Sequence, residues 1–336
     1  MNKGLGFIAH YAAAQSALER LEERLKLSPV RVPLRSRMQI AERQALARMD
    51  ETVLMEEDVY VDGRRTVSTS PFDLSRSRHT MSAHITLEAL AEEPGAVLEW
   101  LDAPKAVANE RAAPMVSVLE RVRAWQGASA AFAPSPPLLG SAHMARLWRA
   151  HAPLGQGDVV ASLLIGDRWG PGRWDGSKGG LVAMGLEGSQ QPWKVAEGEQ
   201  LERVWLEAIR QGAQAHLDLE LRLRAYAVRA AQFLQAKRRP GRLKDMLLLA
   251  MIRPRVTSSM AAKALGITSA GAIKLLTIAA EAGLLVERSG QASYRHYAIP
   301  VAASSEMPRR LADPFDPGEE WNWEPQDVGG ISSPEA

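Results

Sequence analysis

Residues 243–299 read LKDMLLLAMIRPRVTSSMAAKALGITSAGAIKLLTIAAEAGLLVERSGQASYRHYAI, and the parsing of this stretch decides the fold. Leu243, Met246, Leu247, Leu249, Ala250 and Ile252 suit one buried helix, which Pro254 ends. Thr257, Ser258 and Ser259 offer side-chain oxygens to cap a second helix carrying Met260, Ala261, Ala264 and Leu265. Gly266 supplies the positive φ for a sharp exit. Thr268 or Ser269 can cap a third helix running to Ala282, with Ala272, Ile273, Leu276 and Ala280 as its apolar face, and Gly283 stops it. Ala262, Gly266, Ile267 and Ile273 fall where two helices joined by a tight turn need a small residue, a turn and two core residues. Two β-type runs follow, Leu284 to Val286 and Tyr294 to Ile299, with the turn dipeptide Ser289-Gly290 between them. Three short helices and a β-hairpin in this order predict a winged helix-turn-helix.

Charge is concentrated in the same place. From Lys237 to Pro300 there are 11 Lys and Arg against 3 Asp and Glu, a net charge of +8. Residues 1–236 hold 28 basic and 28 acidic side chains, and residues 301–336 hold 2 basic and 8 acidic. A polyanionic duplex binds through neutralised phosphates, so a basic module on a neutral chain predicts double-stranded DNA as partner. The first turns of the third helix would face base edges, which selects Ser269, Ala270, Lys274 and Thr277. Arg288, Gln291 and Arg295 lie in or beside the wing, and Lys237, Arg238, Arg239 and Arg242 precede the module, all suited to the DNA backbone. The third helix has one cation and no Arg, Asn or Gln in its first turns, so a strong hydrogen-bonding readout is not encoded there. Many winged helices mediate protein contacts instead, which keeps an adaptor as an alternative.

The chain has 336 residues, enough for more than one domain, and no cysteine. Disulfides, thiolate metal sites and cysteine nucleophiles are therefore excluded. The absence of cysteine fits a cytoplasmic protein. No apolar run reaches the length of a membrane span, and the N-terminus lacks the pattern of a signal peptide. Abundant Ala and Leu with few β-branched runs point to a mainly α chain, a helical N-terminal domain followed by the winged helix-turn-helix. Its expected divisions are a helical region over 1–127, a Pro/Ala/Ser linker or loop over 128–140, and a helical domain with a Gly/Trp loop over 141–236. The winged helix-turn-helix follows over 237–300, then an acidic, disordered tail over 301–336.

In order along the chain, helices are expected over Ala12–Leu27, Arg35–Met49, Leu74–Ala91, Ala96–Leu101, Ala113–Trp125, Ala142–His151 and Asp158–Ile165. Pro29 and Pro33 act as breakers, and Val53 to Val61 reads as β. Glu199 to Ala236 reads as two helical segments. The second has one apolar side with Leu217, Leu221, Val228 and Leu234, and another with Leu219, Leu223, Tyr226 and Phe233. Two apolar sides suit either a central core helix or a homodimer seam. In the tail, the acidic Glu319 to Glu324 segment could fold over the basic module and compete with DNA.

Chemistry is sparse. The Gly-rich stretch 166–180 lacks the spacing of a phosphate-binding loop, because Lys178 follows Ser177 and precedes Gly179 with no hydroxyl after it. Gly170-Pro171-Gly172 does not continue to a dinucleotide fingerprint. Arg168, Trp169, Arg173, Trp174, Asp175 and Lys178 instead suggest a loop with exposed Trp, able to contact a small-molecule or protein effector. The seven His are scattered, with no paired spacing for zinc, and no Gly-x-Ser-x-Gly elbow occurs. No catalytic residue, metal ligand or cofactor is assigned.

The run Asp158 to Leu164 through Trp169-Gly170, the long helical segments, and the ending Tyr294-Arg295-His296-Tyr297 carry a family resemblance. The chain resembles a group of poorly characterised alphaproteobacterial proteins, several of them plasmid-borne. They pair an N-terminal domain of unknown function with a C-terminal helix-turn-helix. The resemblance covers most of the chain from about residue 35 and implies a DNA-binding C-terminus, with no settled activity. A weaker similarity links Ala261 to Tyr297, and the Arg35 to Val59 region, with Fic-family proteins. Their His-Pro-Phe and Gly-Asn-Gly-Arg motifs are absent here. That similarity leaves a Fic-like scaffold, acting on a protein or catalytically inactive, as the alternative to a transcriptional regulator.

Overall fold

The computed structural model describes residues 2–49, 84–101, 115–132, 136–155, 158–189, 193–237, 239–288 and 295–300. The protein is mainly α: among the described residues there are twelve α-helices, two short 3-10 turns and three short strands. The β reading of 53–61, the hairpin turn at 289–290 and the acidic tail lie outside the described residues. The chain forms two compact units that ignore chain order, one of residues 1–23 with 38–215, the other of 24–37 with 216–336.

Helix α1 spans Asn2–Leu27 and α2 spans Arg31–Met49. Both begin earlier than their periodicity predicts. Adding residues to an existing helix is far easier than nucleating one, so α1 runs back through Gly4 and Gly6. Pro33 does not break α2, because it falls in the first turn, where backbone N–H groups have no helical partner. Of the helix expected over Leu74–Ala91, residues 74–83 lie outside the described residues; 84–86 are not helical, and helix α3 is Leu87–Glu92, with Thr86 Oγ1 accepting from the Ala89 amide at 3.0 Å. Pro94 opens α4, Pro94–Trp100.

The stretch read as a linker over 128–140 is helical at both ends. Helix α5, Met115–Ser129, continues into a 3-10 turn at Ala130–Phe132, and α6, Pro137–His151, begins on Pro137. A proline at the first helical position removes only an N–H that would lack a partner. Helix α7 is Asp158–Trp169, α8 is Leu181–Ser189, and α9 is a single helix, Gly198–Gln235, of 38 residues. The two segments expected over 199–236 are thus one helix. Gly212 does not interrupt it; a side chain there would run into the Leu181 carbonyl and Leu181 Cγ, so the glycine serves packing.

The core of the first unit is built on indoles. Trp125 and Trp148 meet edge to face with centroids 5.2 Å apart, and Trp193 meets Trp205 at 5.8 Å. Such aromatic pairs add about 0.5–1.5 kcal/mol beyond burial. Each nitrogen that reaches a partner fixes a rotamer: Trp125 Nε1 donates to the Met144 carbonyl, and Trp205 Nε1 donates to Ser141 Oγ at 2.7 Å. Gly166 and Gly170 let α7 approach Ala145, Ser141 and the Trp205 ring.

In the second unit the order is helix α10 (Leu243–Ile252), strand β1 (Val256–Thr257), helix α11 (Ser258–Leu265), helix α12 (Ser269–Glu281), strand β2 (Val286–Glu287) and strand β3 (His296–Ala298). The three strands form an antiparallel sheet in the order β1-β3-β2, pairing Val256 with Tyr297 and Val286 with Ala298. Leu247, Val256, Leu265, Ala272, Leu276, Leu285 and Tyr297 fill the core. Arg37 holds the end of α10: its Nε donates to the Met251 carbonyl at 2.8 Å and its Nη2 to Ala250 and Arg253 at 2.9 Å each. A cation at a helix C-terminus satisfies carbonyls that the helix leaves open. Buried Glu220 of α9 accepts from Ser28 Oγ at 2.7 Å.

The caps fall at residues the local sequence marks. Thr257 Oγ1 accepts from the Met260 amide at 3.2 Å, and Thr268 Oγ1 from the Gly271 amide at 3.1 Å. Gly266 and Gly283 have φ of 61° and 68°. Replacing Thr268 by Ala is expected to destabilise the second unit by about 1 kcal/mol, read as a lower urea midpoint at unchanged slope. An unchanged midpoint would mean that the turn, and not the hydroxyl, sets where α12 begins.

Candidate nucleic-acid interface

Helices α11 and α12 are bent by 112° at the Gly266–Thr268 turn. The inner side of α12 carries the buried Ala272, Leu276 and Ala279. Ser269, Ala270, Ile273, Lys274 and Thr277 then share the other side, and all are exposed. Four of these are the base-edge candidates. The fifth corrects an expectation: Ile273 is not core but 53 % exposed. One residue along a helix turns the side chain by about 100°, so once Ala272 points inward Ile273 cannot follow it. The apolar count alone did not choose between them; contact with α11 and α10 did.

The flanking cations differ in their surroundings. Arg288 is exposed, and its backbone N–H donates to the His296 carbonyl at 2.9 Å, extending the β2–β3 ladder by one residue. Arg295 is exposed, 3.7 Å from Glu287 across the strands. Arg242 is ion-paired with Asp245 at 2.9 Å, and the Lys237 ammonium stands 4.8 Å from the Phe233 ring centroid. Arg239 is exposed. Gln291 and Arg238 lie outside the described residues. Lys263, exposed in the last turn of α11, was not among the candidates, although its place beside the Gly266 turn was visible in the sequence.

The Gly/Trp loop takes a different form from the one expected. Trp169 is 8 % exposed, so it belongs to the interior of the first unit. Arg168 is used on the backbone: its Nε donates to the Ile85 carbonyl at 2.8 Å and its Nη1 to Gly172 at 3.2 Å. Arg173 Nε donates to the Trp169 carbonyl at 2.6 Å, and its guanidinium lies 5.8 Å from that indole. Trp174 is half-buried, Asp175 is exposed, and Lys178 Nζ is 4.0 Å from Asp175.

Beneath the loop are two buried carboxylates that the sequence did not pair. Glu42 Oε2 accepts from the amides of Lys178 at 2.8 Å and Gly180 at 2.7 Å. Asp167 Oδ1 accepts from Ser177 Oγ at 2.6 Å. A side chain at Gly180 would meet the Glu42 backbone, and Gly179 has φ 107°, so both glycines are required by this geometry. Burial, and then the charge of Glu42, push the Asp167 carboxyl up to about 7; the Ser177 hydroxyl and the amides of Val182 and Leu181 oppose this.

The sign of the resulting pH dependence follows from proton counting. Between about pH 4 and 7 the unfolded chain releases the Asp167 proton and the folded chain keeps it. Stability is therefore full below the unfolded value and falls by about 1.4 kcal/mol per pH unit through that window. Asp167→Asn, which mimics the protonated acid, is expected to flatten this decline and to be more stable than the parent at pH 8. Urea unfolding at pH 5 and pH 8 checks it; equal slopes in both proteins would show that the proton is held elsewhere.

The chain matches no protein-family model and no curated protein. Among the described residues, no single helix is long and apolar enough to cross a membrane.

Proposed function

We propose that residues 243–300 form a winged helix-turn-helix and that the protein binds duplex DNA as a transcriptional regulator. The observation that carries this reading is the bare outer side of α12, with Ser269, Ala270, Ile273, Lys274 and Thr277 exposed over its first turns. An α-helix fits the major groove, and its N-terminal residues reach base edges when a second helix crosses behind it at a large angle. The 112° bend at a three-residue turn provides that crossing. Two antiparallel strands, β2 and β3, follow α12 in the chain, which supports a wing there. The net charge of +8 over 237–300 supplies phosphate affinity, with Lys263, Arg288 and Arg295 exposed in or next to the elements concerned.

The test uses the full chain and a fluorescently labelled short duplex of mixed sequence. Binding is expected at low salt, with log affinity falling linearly as log salt rises. The same titration gives the number of copies per duplex. No binding at the lowest salt at which the protein stays soluble would overturn the proposal.

A further inference from the structure

The outer side of α12 is short of hydrogen-bonding groups and has an isoleucine in its middle. Ile273 is 53 % exposed, with Ala270 one turn before it and Thr277 one turn after. The only cation there to offer a base is Lys274; Ser269 and Thr277 add hydroxyls. Isolated apolar residues on a surface are ordinary, but this one sits at the centre of the side that the proposed docking places in the groove. The floor of the major groove is polar except for one feature, the C5-methyl group of thymine. A branched aliphatic side chain held against a cytosine or an adenine edge would desolvate an amino group without replacing its hydrogen bond. Held against a thymine methyl, it gains contact and loses nothing.

We infer that Ile273, with the methyl groups of Ala270 and Thr277, makes the protein prefer duplexes that present thymine methyls to α12. The inference rests on the reading of this helix side as the DNA-contacting one. The five exposed positions span about 12 Å of helix, some three or four base pairs of groove, so one or two thymines per bound copy are read this way. Charge complementarity selects DNA over a protein as the occupant: the segment carries +8, and the sole acid on the exposed side of α12 is Glu281, at its far end.

The experiment isolates the methyl group. Duplexes enriched by the full-chain protein from a random pool are resynthesised with deoxyuridine in place of thymine, which deletes the methyl and keeps every hydrogen-bonding group. The parent is expected to bind the thymine duplex about fourfold more tightly for each methyl contacted. Ile273→Ser, an exposed change that leaves the core untouched, is expected to bring that ratio close to one, and Ile273→Val to keep most of it. Salt-sensitive binding with equal affinity for the two duplexes overturns this inference and leaves DNA binding standing. A thymine preference that survives unchanged in Ile273→Ser also overturns it, assigning the effect to duplex shape. Loss of self-association in Ile273→Ser with no thymine effect overturns it by making the side a protein contact. Absence of binding to either duplex overturns it together with the reading beneath it.

Discussion

Duplex affinity is expected to fall about a thousandfold when monovalent salt rises from roughly 50 to 200 mM, the slope for about six neutralised phosphates. The magnitude follows from where the charge lies. Only part of the 11 cations between Lys237 and Pro300 can face one duplex, because Arg242 is paired with Asp245 and Lys237 stands over Phe233. Lys263, Lys274, Arg288 and Arg295 are exposed and closest in sequence to the proposed groove-facing helix and wing. Replacing Lys274 by Ala is expected to lower the slope by about one unit if it meets a phosphate. Should it meet a guanine instead, the slope stays and preference at one base pair relaxes. A salt-independent affinity would show that the basic segment does not carry the binding.

The second large effect is on folding. Gly185→Ala is expected to destabilise the first unit by about 3 kcal/mol or more, at the top of the range for overpacking. A methyl at Gly185 would collide with the Ala208 carbonyl group and come within 2.8 Å of Ala208 Cα, all of it backbone in the middle of α9. Backbone of a long helix cannot step aside as a side-chain end can. The matching control is three residues on: at Gly188 an added methyl meets only Gln211 Oε1, at 3.5 Å. Gly188→Ala should be stabilising by about 0.5–1 kcal/mol, because alanine loses less chain entropy in a helix. Thermal unfolding followed by circular dichroism should move in opposite directions for the two, down by roughly 6–12 °C for Gly185→Ala. A neutral Gly185→Ala would mean that α8 does not approach α9 this closely.

What could be read in advance was local. Thr257 and Thr268 cap helices and Gly266 and Gly283 end them, because a cap is a matter between a side chain and amides two or three residues away. Helix type was equally legible wherever apolar residues recur at the right spacing. Boundaries were less so. Propagation carried α1 back to Asn2, and α9 ran through Gly212 because packing against Leu181 outweighs the low helix propensity of glycine. Strand β1 has two residues and no signature of its own; it exists because β3 pairs with it.

The candidate interface divides in the same way. Residue order alone concentrated the net positive charge in 237–300 and limited the helices and β-runs to a plan compatible with a winged helix. Which side of α12 is bare depended on Ala272, Leu276 and Ala279 finding the core, and this turned Ile273 outward against its expected role. The pairing of Glu42 with Asp167 beneath the Gly/Trp loop, and the assembly of residues 24–37 with 216–336, join parts of the chain that no sequence window contains. Caps, helix spacing and charge are set by neighbours along the backbone, so the sequence determines them unaided. Burial and contact between distant segments exist only once the chain is folded, and they alone decided which groups are hidden and which are exposed.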